Sequence, residues 1–237
     1  MEIFLIILGV LAIIFIIAGL SIANFADSQL AGYYDKLSNE IAHLNKSASD
    51  FCNIVSRQKF GGRLTCRINS KIFGGSYSPS KNVIELSNEA YHSGSLSAIT
   101  VVAHELGHAI QFKKEPQILI KNYRLGRIVK LLGTLIFPLL ASSVVLLFLN
   151  YVIISIILAG LCVFFFITAL CMKISTINIE KQASKYALEL LTELDAVSDE
   201  QYEKAKKLLT YAKLTYTADF FRALLFWTFL TRKTNIF

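Results

Sequence analysis

Apolar and polar positions along this chain are arranged in long blocks. The first, IFLIILGVLAIIFIIAGLSIA (3–23), carries no charge and has the roughly 20 apolar residues that a bilayer-crossing helix takes. Two further runs, LLGTLIFPLLASSVVLLFL (131–149) and YVIISIILAGLCVFFFITALCM (151–172), are separated by Asn150 alone. They predict a tight transmembrane hairpin with a kink at Pro138. Between the blocks the pattern is finer. Leu30, Tyr34, Leu37, Ile41 and Leu44 recur at helical spacing within a mostly helical stretch, 28–58. Ser49 reads as an N-cap that restarts the helix through Phe51, Ile54 and Val55. Gly61-Gly62 break it. Arg63 to Phe73 alternates as a strand does, Gly74-Gly75 turns, and Asn82 to Ser87 predicts a second short strand. A helix opens near Ser95 or Ser97 and ends by Lys114, because Pro116 disfavours helix at Glu115. Residues 177–194 and 198–216 predict two more helices. The last apolar stretch, Thr217 to Leu230, is short and holds Asp219 and Arg222, so an interfacial or bundle-packed role fits it better than a span.

Composition supports the block reading. The chain is 54% hydrophobic and 17% charged, too apolar for an ordinary soluble domain. A cleaved signal peptide would need a basic leader, and Glu2 is the only charge before the first block. The net charge is +7, and all 24 Lys and Arg lie outside residues 1–23 and outside the tip of the hairpin. By the positive-inside rule both large polar segments are expected in the cytoplasm. Beside membrane spans, that basic excess points to anionic lipid head groups and away from nucleic acid. The four cysteines show no framework spacing and fit free thiols. The expected organisation is an N-terminal anchor (1–23), one domain in two parts (24–130 and 173–216) split by the hairpin (131–172), and an apolar tail (217–237).

One segment carries chemistry. TVVAHELGHAIQF, Thr100 to Phe112, holds two of the four histidines. His104 and His108 stand four apart, so a helix puts both imidazoles on one face, where they share one metal ion. Glu105, offset by about 100°, reaches a water at that ion without replacing a ligand and is the candidate general base. Imidazole donors suit Zn2+. The plain alternative is a buried helix with incidental histidines. Yet Val101, Val102, Ala103, Leu106, Ala109 and Ile110 surround the polar trio, and an unpaired buried Glu105 would be costly. A third ligand is needed. No His follows His108 at a suitable spacing. His43 and His92 lie upstream and read as a solvated position and a polar loop position. Glu180, just after the hairpin, is the first downstream candidate, because two crossings would return it to the face of His104; Glu189 and Glu193 are rivals, and each has a solvated-charge reading.

YSPSKNVIELSNEAYHSGSLSAITVVAHELGHAIQ (77–111), NIEKQASKYAL (178–188) and LLTYAKLTYTADFF (208–221) resemble the YugP-like family of membrane-anchored neutral zinc metallopeptidases. The order of anchor, HELGHA, hairpin and glutamate block matches as well. The resemblance implies a zincin of the gluzincin kind, with His104, His108 and Glu180 as metal ligands and Glu105 as base. There are departures. Gln182 stands where the family usually has an acidic residue, and Ser184 where other gluzincins often put an aspartate that orients a histidine. GGSYSPS (74–80) lacks the acidic residues the family tends to carry there. Tyr216 fits an oxyanion donor or, more simply, a packing tyrosine.

The expectation is therefore a mainly α membrane protein: a zincin-like domain with a small β-hairpin or sheet, anchored at its N-terminus and split by a transmembrane hairpin. It would sit multi-pass in the cell membrane with its site on the cytoplasmic side, bind Zn2+, contact the bilayer and hydrolyse polypeptides as an endopeptidase. Strand Val83 to Leu86 is the expected place for an extended substrate to pair. A non-catalytic membrane protein with a structural or decayed zinc site is the alternative. An intramembrane protease is disfavoured because the HELGH helix is bounded by polar 93–95 and Lys113-Lys114.

Overall fold

Serine side chains start three of the helices. The computed structural model describes the backbone of residues 2–71 and 74–223, with side chains from residue 17 to residue 215 save 19, 20 and scattered positions between 122 and 175. The elements run α1 (Glu2–Ser38), α2 (Ala48–Phe60), β1 (Thr65–Ile68), β2 (Gly75–Ser78), β3 (Val83–Leu86), α3 (Asn88–His92), α4 (Leu96–Lys114), α5 (Pro116–Phe148), α6 (Val152–Glu193) and α7 (Asp199–Ala223). Ser47 caps α2: its Oγ accepts the Asp50 N–H at 3.1 Å, and Asp50 Oδ2 accepts the Ser47 N–H at 3.3 Å. This reciprocal capping box wins over the expected cap at Ser49. Gly61 ends α2 at φ 59, a left-handed conformation that costs glycine little. Ser87 caps α3, and Ser95 caps α4 by accepting the Ala98 N–H. Pro116 then opens α5, where its missing N–H costs nothing. Asn150, at φ 64, turns the chain between α5 and α6.

The fold is mostly helical with one small sheet, as the pattern predicted, but the sheet differs in pairing. Its order is β1-β3-β2. β1 runs parallel to β3, and β2 antiparallel to it. The expected hairpin of Arg63–Phe73 and Asn82–Ser87 is thus a parallel pair, and the strand that joins β3 antiparallel is Gly75–Ser78, where the sequence reading placed the Gly74-Gly75 turn and no strand. Its polar, glycine-led GSYS carries almost no intrinsic strand signal. Pairing with the buried Val83, Ile84 and Leu86 of β3 makes it one.

Helix α4 lies at the centre. From Leu96 to Gly107 every residue is buried, which accounts for an apolar pattern with no polar face. It packs against α6, α7, α1, α2, α5 and strands β2 and β3. The surrounding core includes Phe51 and Val55 of α2, Ala187, Leu190 and Leu191 of α6, and Leu208 and Leu209 of α7. Of the α1 positions, Leu30 and Leu37 are buried as expected, whereas Ile41 lies past the helix end and is exposed. Cys52 and Cys66 are free and in contact. The Cys66 hydrogen bond and burial push the Cys52 thiol well up.

The expected membrane spans need correction. Among the described residues, no helix is long and apolar enough to cross a membrane. α5 and α6 form the two arms of a hairpin joined by the turn at 149–151. The N-terminal anchor, the transmembrane hairpin, the multi-pass placement in the cell membrane and the cytoplasmic side inferred from it are withdrawn. What the two arms show is a packed helical hairpin. Ser143 and Ser155 exchange hydrogen bonds across it, each hydroxyl donating to the other's carbonyl at 2.9 and 2.8 Å. Pro138 lies within α5 without ending it.

Candidate metal centre

The site is made where α4 crosses α6. Their close approach rests on Gly107: a Cβ there would lie 2.2 Å from the Ala183 carbonyl oxygen. With no side chain between the backbones, α6 presents Glu180 to both histidines of α4. Glu180 Oε2 is 3.2 Å from His104 Nε2 and 3.3 Å from His108 Nε2. The imidazoles stand edge to face, their centroids 4.8 Å apart. The three residues offer donor atoms all within 4.8 Å of one another. Tetrahedral zinc with ligands at ~2.0–2.1 Å keeps its donors ~3.3–3.4 Å apart, so both carboxylate–imidazole spacings fit that ion, as does a nitrogen and oxygen donor set.

Burial and charge oppose each other here. Burial pushes the Glu180 carboxyl up, but the charge on His108 and hydrogen bonds from both imidazoles outweigh it, holding the carboxyl far below its usual range. Burial likewise works against a charged His108. Glu180, by charge and hydrogen bond, reverses it and raises the ring to about 9. Glu105, next to His104, is 3% exposed. Burial raises its carboxyl, while the two histidines and a backbone hydrogen bond from Tyr77 act the other way. Gly75 in the same strand lets β2 lie on this side chain: a Cβ there would be 3.0 Å from Glu105 Cγ, from Leu86 and from Val101.

The remaining candidates lie elsewhere. Glu189 pairs with Lys185 at 3.8 Å, and Glu193 pairs with Lys59. His43 is exposed beside Asp195, and His92 meets Tyr91 edge to face. The Tyr216 side chain lies outside the described residues. Ser184 places Oγ 3.4 Å from His104 Nδ1, so a hydroxyl stands where an aspartate was looked for. Gln182 meets Gln111, its Oε1 accepting from Gln111 Nε2 at 2.5 Å. Sequence reasoning passed over Gln111, although it follows His104 by seven and His108 by three and so shares their face. It also passed over Gly107 and Gly75, whose close approaches depend on partners distant in the chain.

A family model described as "putative neutral zinc metallopeptidase" matches residues 11–232. The chain belongs to this family. A curated relative in Bacillus subtilis (strain 168), "Putative membrane protease YugP", is 31% identical over 144 residues, 60% of this chain. The match spans 60% of that relative's own length. No solved structure matches. Membership in the neutral zinc metallopeptidase family agrees with the resemblance drawn from HELGH and its flanks. It makes Zn2+ the implied metal, and His104, His108 and Glu180 form a group that could hold it.

Proposed function

We propose that the protein is a zinc-dependent peptide hydrolase in which His104, His108 and Glu180 hold the metal and Glu105 is the general base. The observation that carries this reading is the convergence of three donors from two helices with a buried carboxylate beside them. Among the described residues the group has three members, which favours a site with an open position over a closed, four-ligand structural one. Zinc, when bound, supplies Lewis acidity that polarises a peptide carbonyl and makes water more acidic.

The protein's own groups do the rest. Glu105, raised by burial, accepts a proton readily and can return it to the leaving amine. The Tyr77 N–H fixes its carboxylate, and the Gly75 contact limits where the side chain can go. Glu180 sets an anionic oxygen donor beside the Nε2 atoms of both rings. β3 is the inner strand of the sheet, so Val83–Leu86 cannot take a substrate strand as expected from sequence. β2 is the edge strand beside Glu105, and an extended polypeptide lying along it would bring its peptide bond to the cluster. The substrate is thus proposed to be an unfolded or extended polypeptide segment cut internally.

Hydrolysis of an unstructured test protein by the purified chain, compared with Glu105→Gln, tests this. Glutamine keeps size and helix but cannot accept the proton. Loss of roughly 10²–10⁴-fold in rate is expected. A variant as fast as the parent would overturn the role of Glu105.

A further inference from the structure

A cavity of about 760 Å³ lies in the groove between α5 and α6, within the ~300–1,000 Å³ typical of small-molecule sites. None of His104, His108 and Glu180 lines it. Lys181 and Lys185, which do, stand about 100° and 140° round α6 from Glu180, so the groove opens on a different face from the metal cluster. Its wall is mostly carbon, with Ile118 and Leu125 on α5 and Ile179 on α6. Three lysines, Lys121, Lys181 and Lys185, stand in it against one carboxylate, Glu115, a surplus of two positive charges. Lysine lays its methylene stem along apolar surface and keeps its ammonium at the water edge. Lys185 has Glu189 at 3.8 Å. Lys121 and Lys181 are exposed and form no ion pair among the described residues. The apolar surface continues past them. Ile128 and Leu135 follow Lys121 at steps of seven, which keeps them on its face of α5, and they are 44% and 39% exposed. At 1.5 Å per residue that path is about 21 Å long.

We propose that this groove binds one molecule of a fatty-acid-like anionic amphiphile, its carboxylate between Lys121 and Lys181 and its chain lying over Leu125 toward Ile128 and Leu135. Two features select this occupant. Unpaired ammonium groups at the mouth of a carbon-walled groove complement a single anionic head on an apolar tail. An extended peptide would bring an N–H and a C=O at every residue, and a mostly carbon wall leaves such groups unpaired at a cost, whereas a methylene chain asks for no partner. The lysines act as point charges and need no fixed headgroup geometry. The site is separate from the metal centre, and the inference stands whether or not zinc binds there.

The test is calorimetric titration of the purified full chain with decanoate, laurate and myristate below their micellar concentrations, and with decanol as the uncharged counterpart of decanoate. Saturation at about one molecule per chain is expected. Affinity should climb with chain length, by up to about fourfold per added methylene, and decanol should bind at least fivefold more weakly than decanoate. The double variant Lys121→Ala, Lys181→Ala changes two exposed side chains and should lose ~10–30-fold in myristate affinity, at about fivefold for each charge near an anionic head. Ile128→Asn should weaken myristate by threefold or more, and Lys206→Ala, on α7, should leave it unchanged. The thermal midpoint of each unliganded variant is recorded beside its affinity, and a loss of binding counts for the groove only where that midpoint matches the parent's. Full myristate affinity in the double lysine variant would overturn the proposal. So would equal binding of decanol and decanoate, or uptake of many molecules per chain without saturation, which is adsorption to exposed apolar surface. An acidic, leucine-rich peptide that binds where myristate does not would also overturn it and make the groove a docking site for protein.

Discussion

Gly107→Ala adds one methyl group at the helix crossing that assembles the site, and its effect can be worked out from the structure. The new Cβ would lie 2.2 Å from the Ala183 carbonyl oxygen and 3.3 Å from the Ala187 nitrogen, both backbone atoms with no rotamer to yield. Restoring even 3.0 Å at that oxygen moves α6 away from α4 by about 0.8 Å. Overpacking of this kind typically costs ~1–3 kcal/mol. At ~2–4 °C per kcal/mol for a chain of this size, the midpoint should drop by roughly 2–12 °C. The same shift carries Glu180 away from His104 and His108, now at 3.2 and 3.3 Å, and opens a donor triangle that fits zinc only when tight. Zinc affinity should therefore fall together with stability. Gly32→Ala is the control, because it sits in α1 with nothing within 4 Å of its Cβ. It should be neutral or stabilise by up to ~1 kcal/mol. The assay is thermal unfolding with and without zinc, plus chelator competition. A Gly107→Ala protein that melts and binds zinc as the parent does would refute the claim that this contact sets the site.

Other changes separate the parts. Gly75→Val places side-chain atoms against Glu105 Cγ, Leu86 and Val101, each already 3.0 Å from a Cβ. Zinc should stay bound while hydrolysis of a test protein drops by ~10²-fold, the cost of about an ångström of misplacement; loss of zinc instead would mean that β2 supports the ligands rather than the base. Ser184→Ala removes a long neutral contact to His104 Nδ1, so zinc affinity in competition titration should fall by less than about tenfold, and a loss beyond ~100-fold would give that hydroxyl a larger role than its distance allows. Ser47→Ala deletes the capping box of α2 at a cost of about 1 kcal/mol, seen as a midpoint lower by ~2–4 °C; an unchanged midpoint would make the Ser47–Asp50 pair irrelevant to stability.

The chain displays its local rules plainly and hides its long-range ones. The His104–Glu105–His108 spacing is a property of one helix, and so are the Ser95 cap and the stop at Pro116, so all were legible. The nearness of Glu180 is not, because 76 positions separate it from His104. Strand β2 was lost for the same reason: GSYS becomes a strand through β3 and not through its own propensity. Gly107 and Gly75 look permissive in sequence, and their purpose lies in what they touch. Ser47 and Ser49 both fit an N-cap, and the Asp50 side chain, three residues after Ser47, decided between them. The apolar runs at 3–23, 131–149 and 151–172 suggested spans, but among the described residues no helix is both long and apolar enough to be one.

The central claim is that His104, His108 and Glu180 hold one metal ion and that Glu105 acts beside it without holding it. Elemental analysis of purified, zinc-replete protein tests it most directly, made on the parent, Glu105→Gln and Glu180→Gln. The account predicts close to one zinc per chain in the parent and in Glu105→Gln, with Glu180→Gln depleted because an anionic ligand is gone. A parent without zinc, or a Glu180→Gln variant that retains it as tightly as the parent, would contradict the account.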